Sequence, residues 1–307
     1  MNKYLNIIPT PKKIEYTKGD ALIIKTVHVH AEMTPQMEHA LNMLKGDSGC
    51  VITEIGNADV ILYDNIESIP EGILSAEDIG TFENRFAADQ GYVIKKDLNS
   101  PIYIAAKSNR GCIYGIMTLL QLLDKNVGTL TIYDWPDFQG RSIKWLIWAE
   151  TGILSYDFGD GVEALKERCL RKLDTLMRYK ITGVSVNSYG FASERFPGYN
   201  DMMRFINDNA RIRCISTGGG GYSMGYGMVG YSNTYQGKDF LNRKSYPDGE
   251  VYECIGTYDP FKFVTDRSVD RSVRSTKVFA REHGTCMSND ALTEEKLKEI
   301  KEYIKNI

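Results

Sequence analysis

Between residues 134 and 152 the chain changes character within a few positions, and this change constrains the fold more than any other feature. Asp134-Trp-Pro-Asp-Phe-Gln-Gly140 is loop chemistry. Pro136 fixes its own φ and pushes Trp135 toward an extended backbone, and Gly140 supplies a second break. Residues 143–148 then read Ile-Lys-Trp-Leu-Ile-Trp, an apolar, β-branched and aromatic run interrupted only by Lys144. Such a run suits a strand covered on both faces, as in a parallel sheet. Polar groups return at Glu150, Thr151 and Gly152. A carboxylate just past the C-terminal end of a barrel strand stands where such folds keep their chemistry. The chain is therefore read as two domains, 1–135 and 136–307.

The second domain alternates its periods. Val162, Leu165, Cys169, Leu173 and Leu176 form one stripe of a helix over residues 161–180, with charges opposite. Residues 181–188 follow as a β-branched strand. Residues 199–212 form a second helix with Met203, Ile206 and Ala210 inward, and residues 213–217 a third strand. This β-α-β-α-β order with short links argues for parallel pairing and right-handed crossovers, the opening of a (β/α)8 barrel. The loop beginning Thr217-Gly-Gly-Gly-Gly-Tyr222 has no Gly-Lys-Ser/Thr and no following helix, so it is not a phosphate loop. Its tyrosines suit stacking on sugar faces, or packing on one another. A small hairpin is expected over 237–256, and a helix after Asp290.

The first domain reads as α+β. Pro9 and Pro11 confine residues 7–16 to an edge. Short strands are expected at 21–24, 26–30, 51–54 and 59–63, and a helix at 36–44. Residues 91–95 and 102–106 make a hairpin about Asp97-Leu-Asn-Ser-Pro101. The helix after Ser108-Asn-Arg-Gly111 turns Ile113, Ile116, Met117, Leu120 and Leu123 to a sheet, with Gly111 and Gly115 allowing a close approach. His28 and His30 share one strand face without a third ligand, and are read as a solvated face.

Composition narrows the function. A net charge of −3 and the lack of any Lys/Arg-rich block give no reason to expect nucleic acid. No apolar run approaches the ~18 residues of a membrane span. The N-terminus lacks the apolar stretch of a signal peptide, so a cytoplasmic location is expected unless a leader precedes it. Six scattered cysteines, without C-x-x-C spacing, read as free thiols, and four histidines without H-E-x-x-H give no metal or cofactor signal.

Three motifs carry a family resemblance. Asp134-x-Pro136-x-Phe138-x-x-Arg141 resembles the segment that opens the catalytic barrel of family 20 glycoside hydrolases, the β-N-acetylhexosaminidases. Ile8-Pro-Thr-Pro-Lys12 and Gly111-x-x-Tyr114-Gly115-x-x-Thr118-Leu119-x-Gln121-Leu122 resemble the two ends of that family's non-catalytic N-terminal domain, zincin-like in shape but without zinc. The resemblance implies an α+β domain followed by an incomplete (β/α)8 barrel. It also implies a substrate with terminal N-acetylhexosamine, and retaining hydrolysis in which the substrate's acetamido group attacks the anomeric carbon. Ser142, Leu146, Asn187 and Gly190 stand where the family has other residues. The family's Asp-Glu pair follows a fourth barrel strand, and only three are read here, so no catalytic residue is assigned and the acid is expected beyond residue 307. The alternatives are an α-glucuronidase-like glycosidase sharing the same first domain, and a non-catalytic carbohydrate-binding protein.

The candidate substrate-binding residues are Arg141, Glu150, Asn187, Tyr189 and Tyr222. The resemblance gives Arg141 the sugar hydroxyls, which suits a guanidinium fork. Arg141 and Glu150 would lie ~30 Å apart on an extended strand. They are expected to meet only because the strand stops near Leu146 and 147–152 fold back, with Arg141 in the upper interior of the barrel.

Overall fold

A computed structural model describes residues 5–54, 56–145, 162–187, 199–220, 298 and 301. The chain falls into two compact units. The first comprises Met1–Ser142, Lys172–Gly183 and Ala210–Ser216, and the second Ile143–Arg171, Val184–Asn209 and Thr217–Ile307.

The first unit is built on a seven-stranded mixed sheet. Its strands are β1 (Lys13–Tyr16), β2 (Thr26–His30), β3 (Val51–Ile52), β4 (Val60–Tyr63), β5 (Tyr92–Lys96), β6 (Ile102–Ala106) and β7 (Leu130–Asp134). They are ordered β1-β7-β5-β6-β4-β2-β3. β2 pairs in parallel with β3 and β4, and β4 with β6, whereas β5 runs antiparallel to β6 and β7, and β1 to β7. β1 lies at one edge, as its flanking prolines require, and the two-residue β3 closes the other.

Alternation sorts the side chains. Val60, Leu62, Tyr92, Ile94, Ile102, Ile104, Leu130 and Ile132 enter one core with helices α1 (Pro35–Ser48) and α4 (Asn109–Leu120). Ile61, Tyr63, Val93, Ala105 and Tyr133 face the other side, where Phe82 and the segment carrying the short helices α2 (Ala76–Gly80) and α3 (Ala87–Gln90) cover them. Burial on both faces is why Val60-Ile-Leu-Tyr63 reads as a continuous apolar run.

Both long helices of this unit are capped. Thr34 accepts from the Met37 N–H at 3.1 Å, Pro35 opens α1, and Gly49 ends it in the left-handed region with φ 73°. Ser108 caps α4 by accepting from the Gly111 N–H at 3.0 Å. Residues 111–120 of α4 are all buried. A Cβ on Gly111 would overlap the Gly91 carbonyl oxygen, and one on Gly115 would overlap Ile104 Cγ2. The two glycines thus set how closely α4 approaches the sheet.

Around the first turn of α2, Asp78 is buried and fully engaged. Its Oδ2 accepts from the Ser75 N–H at 2.6 Å and Lys95 Nζ at 2.9 Å, and its Oδ1 from the Tyr133 hydroxyl at 2.7 Å. Burial alone would push this carboxyl up; the bonds from Ser75, Tyr133 and Lys95 outweigh it and hold the acid below its usual value. A depressed folded-state pKa contributes stability that is present above the unfolded value of ~3.9 and lost as pH falls through the folded one. Urea midpoints measured across that acid range are expected to fall less steeply with pH in Asp78→Asn than in the wild type. Identical slopes would remove Asp78 as a source of acid sensitivity.

A second sheet holds β8 (Ser142–Trp145), β9 (Gly183–Asn187) and β10 (Ser216–Gly220) in the order β10-β9-β8, with α5 (Val162–Arg178) and α6 (Tyr199–Ile212) as the intervening helices. Cys169, Leu173 and Leu176 of the expected α5 stripe are buried, as are Ile206 and Ala210 of α6. The two helices end alike. Ile181 N–H donates to Leu176 O and Ile215 N–H to Ala210 O, with Lys180 and Cys214 left-handed at φ 58° and 60°. This is a Schellman-type stop, usually built on glycine.

The structure corrects several expectations. Residues 21–24 make one isolated bridge, Ala21 to Asn126, instead of a strand. The third strand of the second domain starts at Ser216, because the helix-ending turn occupies 213–215. β7 and the covering segment at 66–90 are additions to the sequence reading. The expected hairpin at 237–256 lies outside the described residues, as does most of the last helix.

Candidate active site

Arg141 is not at the C-terminal end of the strands. Its backbone N–H donates to Thr182 Oγ1 at 2.6 Å, its Nε to Lys180 O at 2.9 Å and its Nη1 to Phe138 O at 2.8 Å. The guanidinium lies 5.7 Å over the Tyr114 ring. These partners sit at the start of β8 and just before β9, so the expectation of Arg141 in an upper interior is corrected. Its fork is held by two backbone carbonyls and a ring face at the strands' N-terminal ends. Asn187 is the last residue of β9, at that strand's other end. Glu150, Tyr189 and Tyr222 lie outside the described residues.

What surrounds Arg141 is a buried polar network that the sequence reading did not single out. Lys180 Nζ donates to Asp134 Oδ2 at 3.0 Å and to the Tyr92 hydroxyl at 2.7 Å. Tyr92 in turn donates to Asp134 Oδ2 at 2.7 Å and meets Thr118 Oγ1 at 2.6 Å. The Lys180 side chain is 5% exposed and that of Asp134 12%. Burial draws the Lys180 ammonium below its ordinary pKa and Asp134 opposes that shift, while burial drives Tyr92 well upward. One sequence signal pointed here: a lysine two residues past a helix end, at a position glycine commonly fills.

Beside the network is a cavity of about 140 Å³ whose wall includes Gln90, Tyr114, Asp134, Trp135, Arg141 and Lys180. Gln90 and Tyr114 each also carry a fully buried oxygen without a hydrogen-bond partner, Oε1 and Oη. The Gln90 amide donates from Nε2 to Gln139 O at 3.0 Å, which fixes its orientation and leaves Oε1 as the acceptor. Burial pushes the Tyr114 hydroxyl up to about 12, so it keeps its proton at neutral pH. A wider groove of about 700 Å³ runs past Asn109, Arg110, Arg211 and Cys214. Arg110 there pairs with Asp89 at 3.1 Å.

Elsewhere, His28 Nδ1 bonds to Thr53 O at 2.8 Å, and the His30 ring stacks on Tyr63 with centroids 4.8 Å apart. Among the described residues no group of three His, Cys, Asp or Glu is placed to hold a metal ion. Cys50, Cys112, Cys169 and Cys214 are free thiols. No helix among the described residues is long and apolar enough to cross a membrane.

Comparison with known proteins follows the same division of the chain. No curated protein sequence matches it. A mutant Streptomyces plicatus beta-hexosaminidase in complex with its product GlcNAc superposes with a TM-score of 0.57 at 14% identity, over 96% of this chain and 55% of that one. At that identity the likeness is one of fold. A Flavobacterium johnsoniae chitobiase matches over 71% of this chain and 34% of its own (TM-score 0.48, 19% identity). A Bacteroides fragilis beta-N-acetylhexosaminidase matches over 69% and 44% (TM-score 0.47, 16% identity). The chain thus spans between about a third and just over half of the solved structures it resembles. Residues 4–135 match the family described as "Glycosyl hydrolase family 20, domain 2". That match falls on the segment that builds the mixed α+β sheet between two helical layers.

Proposed function

We propose that this chain contributes a family 20 domain 2 and the opening βα units of a (β/α)8 barrel to a glycoside hydrolase of the hexosaminidase type, one that removes terminal N-acetylhexosamine from glycans. The observation that carries the reading is the family match over residues 4–135, followed directly by strands that each add beside the one before, with a helix between. In a barrel of this kind the substrate meets the loops after the strands. That assigns the sugar contacts to Glu150 after β8, Asn187 at the end of β9 with Tyr189 after it, and Tyr222 after β10. Arg141 is held at the opposite end of its strand by the Phe138 and Lys180 carbonyls. The hydrolysis is of the substrate-assisted retaining kind, in which the protein holds the acetamido group in line with the anomeric carbon and a general acid protonates the leaving oxygen. The described residues assign no such acid.

Calorimetric titration of the chain with N-acetylglucosamine, glucose and glucuronate tests this. N-acetylglucosamine is expected to bind most tightly, in about the millimolar range, and Asn187→Ala to weaken it by about fivefold. Preference for glucuronate would favour an α-glucuronidase-like enzyme. Failure of all three sugars to bind would sink the assignment.

A further inference from the structure

We propose that His28 and His30 form a two-histidine chelate on one face of β2 that takes a divalent transition cation of the kind imidazole prefers, Cu2+ most tightly.

The strand brings the pair together. Val27 enters the core and Val29 packs against it, so His28 and His30 turn to the opposite face. His28 is half-buried and His30 exposed, so both rings are open to an ion from solvent. Their centroids are 4.3 Å apart. At metal–nitrogen bonds of ~2.0–2.1 Å, two imidazoles on one ion have centroids about 4.5 Å apart when they bind side by side and about 6.5 Å apart when they bind opposite each other. The observed spacing lies at the side-by-side end of that range.

Each ring is set for the role. His28 Nδ1 lies 2.8 Å from the Thr53 carbonyl oxygen. A carbonyl only accepts, so Nδ1 carries the proton and Nε2 keeps its lone pair for a ligand. A ring N–H held by a backbone carbonyl is the support that metal-bound histidines use. Register supplies that carbonyl, because β3 pairs Ile52 with Val27 and so brings Thr53 beside His28. The His30 ring lies parallel to that of Tyr63, its partner on β4, with centroids 4.8 Å apart. A half-turn about Cβ–Cγ moves the His30 nitrogens from one ring edge to the other and keeps this stack, so either edge can present one to His28. Burial and the charge of His28 hold His30 below its ordinary pKa, which keeps it in the neutral, ligating form at pH 7. Among the described residues no third His, Cys, Asp or Glu joins the pair, so water fills the remaining positions. Imidazole ligands alone favour Cu2+, Ni2+ and Zn2+ over Mg2+ and Ca2+, which need oxygen.

The test is calorimetric titration of the 307-residue chain with Cu2+, Zn2+ and Mg2+, in wild type, His28→Gln, His30→Gln and His39→Gln. Saturable binding of Cu2+ is expected, with weaker binding of Zn2+ and none of Mg2+. His28→Gln and His30→Gln are each expected to weaken Cu2+ binding by at least about tenfold. His39→Gln, whose ring pairs with Asp174, is expected to leave it unchanged. Paramagnetic resonance of the Cu2+-loaded wild type is expected to show coupling to both ring nitrogens. His30 is exposed, so His30→Gln is expected to keep the wild-type melting temperature without metal and to lose the rise that Cu2+ gives the wild type. Cu2+ binding equal in all of these proteins overturns the proposal. So does coupling to a single nitrogen, and so does the absence of saturable binding.

Discussion

Lys180→Ala is expected to lower the unfolding free energy by about 3–5 kcal/mol, because it strands the Asp134 carboxylate in the interior without its cation. Lys180 and Asp134 are both nearly inaccessible, and Tyr92 and Thr118 complete the buried network. The backbone does not confound the measurement. Lys180 has φ 58°, and alanine meets the same left-handed cost as lysine, so that contribution cancels. Glycine would be the unstrained choice at this turn, and lysine is there because its ammonium reaches Asp134. Replacing both charges, as Lys180→Met with Asp134→Asn, is expected to recover much of the loss, since no uncompensated charge remains. Urea unfolding of Lys180→Met, Asp134→Asn and the double variant supplies the cycle. A Lys180→Ala loss under about 1 kcal/mol would mean that water reaches the pair and the network is not closed. The same pair predicts that residues 1–135 expressed alone are weaker than within the chain, since Lys180 and the core residue Met177 lie outside them.

Gly111→Ala is expected to destabilise by about 1–3 kcal/mol, against a helix-propensity gain of about 1 kcal/mol in the opposite direction. The sign follows from what the new methyl meets. It is the Gly91 carbonyl, backbone that cannot rotate aside, with the Ala106 Cβ at 3.0 Å behind it. Helix α4 would have to lift from β5 and β6, opening the core around Cys112 and Tyr114. Gly46, on α1, is the control, because a methyl added there would meet nothing within 4 Å. Gly46→Ala is expected to be neutral or stabilising. A Gly111→Ala protein as stable as the wild type would show that α4 can shift freely on the sheet.

Several features were legible without a structure because they depend on neighbours in sequence. The alternation of β2, the Asp97–Pro101 turn between β5 and β6, the stripe of α5 and the span of α6 all follow from local period and turn chemistry. The proline-rich start predicted an edge strand, and β1 is one. The motifs at the two ends of residues 1–135 pointed to the family that this segment matches.

Other features had no local signal. Strand β7 is a short ordinary sequence that becomes a strand by pairing between β5 and β1, partners far away in the chain. The segment at 66–90 covers a sheet face that no periodicity announces. Arg141 sits in a motif that fits sugar binding, yet which end of a strand a residue occupies is decided by where the strand starts. The turn at 180–182 pinned that start by taking the Arg141 N–H and carbonyl. The residues of the cavity and its network, Gln90 with Tyr92, Tyr114, Asp134 and Lys180, lie in four separate segments. Sequence by itself determined the long helices α1, α4, α5 and α6, most of the strands and the family that the first domain matches, since those rest on local pattern. Only the tertiary structure decided which charges lose their water together, because burial of Lys180 against Asp134 requires the sheet, α4 and the end of α5 to close on one point.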